Sequence, residues 1–438
     1  MSAPSHESLD AVVRNEAGRV LASLIASFGD FDLAEDALQD AVAAALERWS
    51  HDGVPKNPAA WLTVVAKRRV VDRLRHQAMR ADKATALRAD EELRRAEVMT
   101  AEDEGSVPDE RLRLLFTCCH PALSPEARVA LTLRALGGLS TEAVARAFLL
   151  PVATLAKRLE RAKHKIRDAR IPYRVPPQTE WPARLDSVLA VLYLIFNEGY
   201  STTEPSGEEG RSLCVEAIRL GRILEALLPR EGEVHALLAL MLLHDARADA
   251  RVGPDGVLVP LDEQDRCLWR GEELREGLAA LRTAASCPGR GAYQVQAAIA
   301  ATHAVTPNGA HTPWHSLAAL YAELEALVPS AVVRVNRAVA EGRARGPAAG
   351  LALLAGIERD DTAKPLEGYL PYHAARADLL RRAGRATEAA AAYRIAIELS
   401  RGEPERRFLA ARLATIEQDL SPRGPIDLPR PTPRTPKH

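Results

Sequence analysis

Aromatic side chains are scarce in this 438-residue chain, at 4%. Long alternating runs of β-branched residues are almost absent too, which argues against barrels and sandwiches. The five cysteines (Cys118, Cys119, Cys214, Cys267, Cys287) are odd in number and show no CxxC spacing. A reduced protein in a reducing compartment is the simpler reading. The longest strongly apolar run, Val188–Phe196, is about half of the ~20 residues a membrane helix needs. The opening MSAPSHESLD lacks the basic-then-apolar order of a secretion signal. A soluble, cytoplasmic protein with no membrane partner is expected. Net charge is −1, so overall charge gives no sign of a polyanionic partner.

Helix formers are abundant instead. Ala, Leu and Arg dominate, hydrophobic residues reach 47%, and the length implies two to four domains of an all-α protein. Charge is segregated along the chain. Residues 56–80 carry seven Lys/Arg against one acid, and residues 157–174 carry eight against two. Between them, residues 90–110 hold nine acids against two Arg. Two basic islands joined by an acidic bridge point to nucleic acid where the average conceals it.

The pattern divides the chain into a helical segment over 1–80, an acidic linker over 81–109 and a second helical unit over 110–175. Ile171–Pro177 is an extended boundary; a larger helical part over 178–420 and a proline-rich, disordered tail over 421–438 follow. In the first segment, Leu33, Ala37, Leu38, Ala41, Val42, Ala45 and Leu46 form a broad apolar stripe, with Asp32, Asp36, Asp40 and Glu47 on the opposite face. A loop over Ser50–Asn57 is expected next, and Asn57-Pro58 caps the following basic helix. In the larger part, Ala377, Leu380, Ala389, Tyr393 and Ala396 sit at tetratricopeptide-like packing positions, with a weaker copy around Ala338. Gly253-Pro-Asp-Gly256 suggests a short β-hairpin.

The second basic island reads as a helix-turn-helix, with helices over Ser140–Leu150 and Pro151–Arg167. Val144, Phe148, Leu155 and Leu159 face inward. Thr154, Lys157, Arg158, Arg161 and Lys165 project outward, a surface that fits a major groove about 12 Å wide. Leu149, at the turn position where glycine is common, is the one awkward residue.

Four motifs in order carry a family resemblance. They are Ala34-Glu-Asp-Ala-Leu-Gln-Asp40, Asn57-Pro-Ala-Ala-Trp-Leu62, Ala66-Lys-Arg-Arg-Val-Val-Asp-Arg-Leu-Arg75, and Leu136-Gly-Gly-Leu-Ser140 through Arg161-Ala162. The first three resemble region 2, and the last region 4, of extracytoplasmic-function sigma factors of the sigma-70 class. Leu114–Pro121 and the long extension resemble the subgroup with a tetratricopeptide-like C-terminal domain. The resemblance implies that Asp36, Gln39, Asp40 and Glu47 dock on core RNA polymerase. It implies that Asn57, Lys67, Arg68, Arg69 and Arg73 meet the −10 promoter element, and that Thr154, Lys157, Arg158, Arg161 and Lys165 meet the −35 element. Arg68 stands where many relatives have Asn. Trp61 matches a family position but is read as core.

No Walker-type loop, nucleophile elbow or paired-carboxylate signature appears, so neither catalysis nor a cofactor is expected. Adjacent Cys118 and Cys119 are poorly placed to share one tetrahedral metal, and His303, His311 and His315 lack a carboxylate at metal-binding spacing. Asn197 and Glu198 end a very apolar helix at Gly199, either as a regulatory pocket or as a plain terminus. The extension reads as an intramolecular control element answering to a protein or small-molecule regulator. Two other readings stay open: a one-component helix-turn-helix regulator with a helical sensor, and a helical-repeat scaffold. Binding to core polymerase separates both from a sigma factor.

Overall fold

A computed structural model describes residues 6–78, 110–148, 150–177, 179–201, 208–306, 311–358, 366–400 and 402–420. The expected linker, Leu149 and the proline-rich tail lie outside the described residues. Eighteen α-helices and two 3-10 turns make up the regular structure among those residues, without a strand. They form two compact units, the first ending at Asp245 and the second beginning at Ala246.

The first unit opens with α1 (His6–Phe28), α2 (Phe31–Asp52) and α3 (Pro58–Ala78). Asp30 caps α2 by accepting from the N–H groups of Asp32 and Leu33 at 2.8 and 3.0 Å. Helix α2 runs beyond Ser50 and stops where Gly53 takes φ +80°, so the loop is shorter than expected. Asn57 caps α3 through the Ala60 N–H at 3.1 Å. Val20, Leu24, Ile25, Ala37, Leu62 and Val70 form the shared core. Trp49 is fully buried, and half-buried Trp61 packs edge-on against it at 5.2 Å.

Helices α4 (Arg111–Cys118), α5 (Pro125–Ala135), α6 (Thr141–Ala147) and α7 (Val152–Asp168) follow. Three more, α8 (Trp181–Ser201), α9 (Glu208–Leu227) and α10 (Gly232–Asp245), belong to the same compact unit, past the extended Ile171–Pro177 segment. The reason is chemical. A helix leaves its last carbonyls without partners, and α8 supplies them for α4. Arg184 donates to Phe116 O at 2.6 Å and Ser187 Oγ to Cys119 O at 2.7 Å, while Arg128 donates to Ser187 Oγ at 2.6 Å. Arg219 of α9 reaches Leu136 O at 3.0 Å while paired with buried Glu216. Helix α8 runs through Gly199 instead of stopping there, because a helical glycine needs no special φ.

The second unit stacks helical hairpins: α11 (Gly271–Ser286), α12 (Ala292–Val305), α13 (Trp314–Leu327), α14 (Ala331–Arg345), α15 (Pro347–Glu358), α16 (Leu370–Arg382), α17 (Ala386–Leu399) and α18 (Glu403–Leu420). Ala377, Leu380, Ala389, Tyr393 and Ala396 are all buried in one cluster, as the repeat pattern implied. Helices α14 and α15 approach closely at glycine: a Cβ on Gly350 would lie 2.5 Å from Ala338 O. The expected hairpin reduces to one antiparallel bridge, Val252 with Leu258, around a turn at Gly256 (φ +74°). Two consecutive ladder pairs never form there, so no strand results.

His303 packs edge-on against Trp314 at 5.8 Å, and burial followed by Arg247 and Arg266 pushes its pKa down to about 4 from 6.5. A depressed histidine holds its share of stability above pH 6.5 and loses it as pH falls towards 4. Urea denaturation of the full chain followed through the second unit should weaken over that window, and His303→Asn should flatten the loss. Ser187→Ala removes one donor and one acceptor at the α4 terminus. It should cost the first unit about 1–3 kcal/mol in urea unfolding; an unchanged midpoint would contradict the capping role.

Candidate nucleic-acid interface

Helix α7 is strongly two-sided. Leu155, Leu159, Ala162 and Ile166 are buried at spacings of four, three and four. Thr154, Lys157, Arg161 and Lys165 are exposed on the other side, with Arg161 Nε bonded to Lys157 O at 3.2 Å. Ahead of it, Ser140 caps α6 through the Ala143 N–H at 3.1 Å. Helix α6 ends at Ala147, shorter than the sequence suggested. Arg158 departs from the expected outer face. It is half-buried at a cavity of about 260 Å³, beside Phe148, Leu155, Leu194 and Glu198. Position 158 falls between the two faces, and the nearby α8 surface takes it in.

In the first three helices the expected residues separate. Gln39 and Glu47 are exposed on α2, as are Arg68 and Arg69 on α3. Lys67 is not a surface residue: it is 2% exposed, one position from the basic face and turned into the helix interface. Asn57 is exposed, but its side-chain oxygen is engaged in the α3 cap. Arg73 joins Asp36 at 2.7 Å and Asp40 at 2.8 Å, so residues assigned to polymerase and to DNA form one α2–α3 cluster. The i, i+4 spacing of two acids on α2 matches the fork of one guanidinium.

The ion cluster between the two sets of helices was not anticipated. Glu35 is buried on α2 and meets Lys163 of α7 and Arg134 of α5, the latter at 3.3 Å. Lys163 also reaches Asp32 at 2.9 Å. Burial alone would lower the Lys163 pKa, but Glu35 and Asp32 outweigh it and hold the ammonium above its usual range. Nearby, a Cβ on Gly18 of α1 would lie 2.6 Å from Leu136 O, and Tyr173 donates to Ala22 O at 2.8 Å. The signal was present in the sequence. Glu35 lies at the edge of the α2 apolar stripe, and Lys163 follows Ala162 on the inner edge of α7, away from the outward cations.

Asn197 and Glu198 are not brought together as a sealed pocket. Glu198 is exposed at the rim of the cavity beside Arg158, and Asn197 bonds Tyr193 one turn back. Cys118 and Cys119 are buried, and burial raises both thiol pKa values, Cys119 to about 11. Among the described residues, no group of His, Cys, Asp or Glu is placed to hold a metal, and no helix is long and apolar enough to cross a membrane.

A two-module helical protein, with a helix-turn-helix whose second helix presents a basic face, is a DNA-binding class. Comparison with known proteins makes the class specific. Residues 12–80 match Sigma-70 region 2 and residues 113–166 match Sigma-70 region 4. Residues 184–285 match a family of unknown function, DUF6596. An uncharacterized protein of Rhizobium meliloti (strain 1021) is 39% identical over 425 residues, covering 94% of this chain and 98% of that protein. No solved structure matches. The chain belongs to the sigma-70 family, in the extracytoplasmic-function-like arrangement of regions 2 and 4 with a C-terminal extension. Its family domains imply binding to core RNA polymerase and promoter DNA.

Glu35→Gln keeps the side-chain shape but removes the charge between Lys163 and Arg134. Breaking a buried pair in this way should cost about 3 kcal/mol in urea unfolding and speed amide exchange in α7. Exchange in α7 equal to that of the unsubstituted chain would contradict the contact.

Proposed function

We propose that this protein is a sigma factor held closed by its own chain, whose C-terminal extension controls when regions 2 and 4 separate. In this reading Thr154, Lys157, Arg161 and Lys165 contact the −35 element, with Arg158 at the edge of that surface. Arg68, Arg69 and the segment leading to Asn57 contact the −10 element. Gln39 and Glu47 face core polymerase, and Asp36 and Asp40 exchange Arg73 for the basic polymerase surface. The charge of an exposed acidic helix face suits a basic protein partner.

The observation that carries the closed state is the ion cluster of Glu35 with Lys163 and Arg134. It sets α7 directly against α2, within one compact unit. A unit of roughly 240 residues has a radius of gyration of about 18 Å. The −35 and −10 elements lie about 25 base pairs apart, on the order of 85 Å of duplex at 3.4 Å per step. One compact unit does not span that distance, so engagement of both elements requires regions 2 and 4 to part. Helices α8 and α9, bonded to α4, α5 and the turn after α5, are placed to govern that separation.

Runoff transcription with sigma-free core enzyme tests the reading. The full chain should give transcripts with a defined start. Lys157→Ala with Arg161→Ala should reduce promoter-specific output and lower the slope of log affinity against log salt by about 2, the loss of two phosphate contacts. A defined transcript of undiminished yield from the double variant would contradict the −35 assignment.

A further inference from the structure

We infer that the second unit carries a binding site for a small organic oxyanion with a flat face, in a cavity between the Leu261–Arg266 segment, α12, α13 and α14. The site goes beyond the sigma-factor reading and does not depend on it. The cavity encloses about 220 Å³, and its chemistry is set by Asp262, Arg266, His303, Trp314, Tyr321 and Arg343.

Two guanidinium groups and one carboxylate line the cavity. Arg343 lies over the Trp314 ring, its central carbon 4.4 Å from the centroid, and reaches Asp262 only at 3.4 Å. Arg266 lies over the Trp269 ring at 3.9 Å. Its Nη1 is buried and has no hydrogen-bond partner. Burial, and then the neighbouring Arg247, lower the Arg266 pKa. Stacking on indole holds each guanidinium flat but satisfies none of its N–H groups. A buried donor left unmade costs on the order of 1–3 kcal/mol, and an anionic oxygen is the acceptor that best fits a guanidinium fork.

The rest of the cavity fits the same ligand. Trp314 and Tyr321 offer aromatic surface, and His303 is edge-on to Trp314. A few polar groups converging on an aromatic wall is the usual make-up of a small-molecule site. The volume admits a compact metabolite. The chemical class is therefore a small phosphate or carboxylate attached to a planar group, with the oxyanion at Arg266 and Arg343 and the planar part against Trp314.

Isothermal titration of the full-length protein with inorganic phosphate, phenyl phosphate and benzoate tests the site. Saturable one-to-one binding of phenyl phosphate or benzoate is expected, and the tighter of the two identifies the oxyanion. Arg266→Gln should weaken it at least tenfold with an unchanged circular-dichroism spectrum and melting curve, and Arg343→Gln should weaken it similarly. No saturable binding of any probe, or equal binding by Arg266→Gln, overturns the assignment. Phenyl phosphate binding no tighter than inorganic phosphate, together with no benzoate binding, overturns the aromatic wall.

Discussion

Glu35 is a carboxylate removed from water and answered by two cations from another part of the chain, Lys163 and Arg134. Ion pairs of this kind add little net stability, because desolvation offsets much of the attraction, yet losing one partner strands a buried charge. Their effect is selective: they fix which surfaces meet. Lys163 lies on the inner edge of α7, so the contact turns Thr154, Lys157, Arg161 and Lys165 outward. The closed unit therefore leaves the basic face of α7 open to duplex. What it restrains is the distance between regions 2 and 4.

The second constraint comes from unsatisfied backbone. The C-terminal carbonyls of α4 find their donors in Arg184 and Ser187, side chains from the start of the extension. The DUF6596 match begins at residue 184, the residue whose guanidinium completes α4. The match runs to 285, past Asp245 where the first compact unit ends. The extension is thus part of the structural support of region 4 as well as a module following it. A ligand-responsive second unit joined to such a support would give the chain its own regulatory input.

Much of the fold was legible in the sequence. The apolar stripe of α2, the Asn57 and Ser140 caps, the inward Leu155 and Leu159, and the buried Ala377–Ala396 set all follow from 3.6-residue periodicity and capping chemistry. Two of the three misses are residues whose role depends on an element distant in sequence, and the third is a matter of helix phase. Lys67 reads as one more cation in a basic run, yet helix phase turns it inward. Arg73 reads as DNA-facing until α2 brings Asp36 and Asp40 to it. Arg158 shares the spacing of the outward set, but α8 half covers it. Local pattern gives the face of a helix and says little of what arrives to cover it. The cavity around Arg266 and Arg343 had no motif at all, since its members come from four separated segments.

In the proposed function the free chain is closed and opens on polymerase. Spin labels at Asp72→Cys on α3 and Glu160→Cys on α7, with Cys267 and Cys287 replaced by Ser, report that distance by pulsed electron resonance. Both labelled positions are exposed. The account predicts a single short distance in the free protein and a shift of tens of ångströms once sigma-free core polymerase is added, in line with the ~85 Å between promoter elements. A broad distribution in the free chain, or a distance that polymerase leaves unchanged, would contradict it.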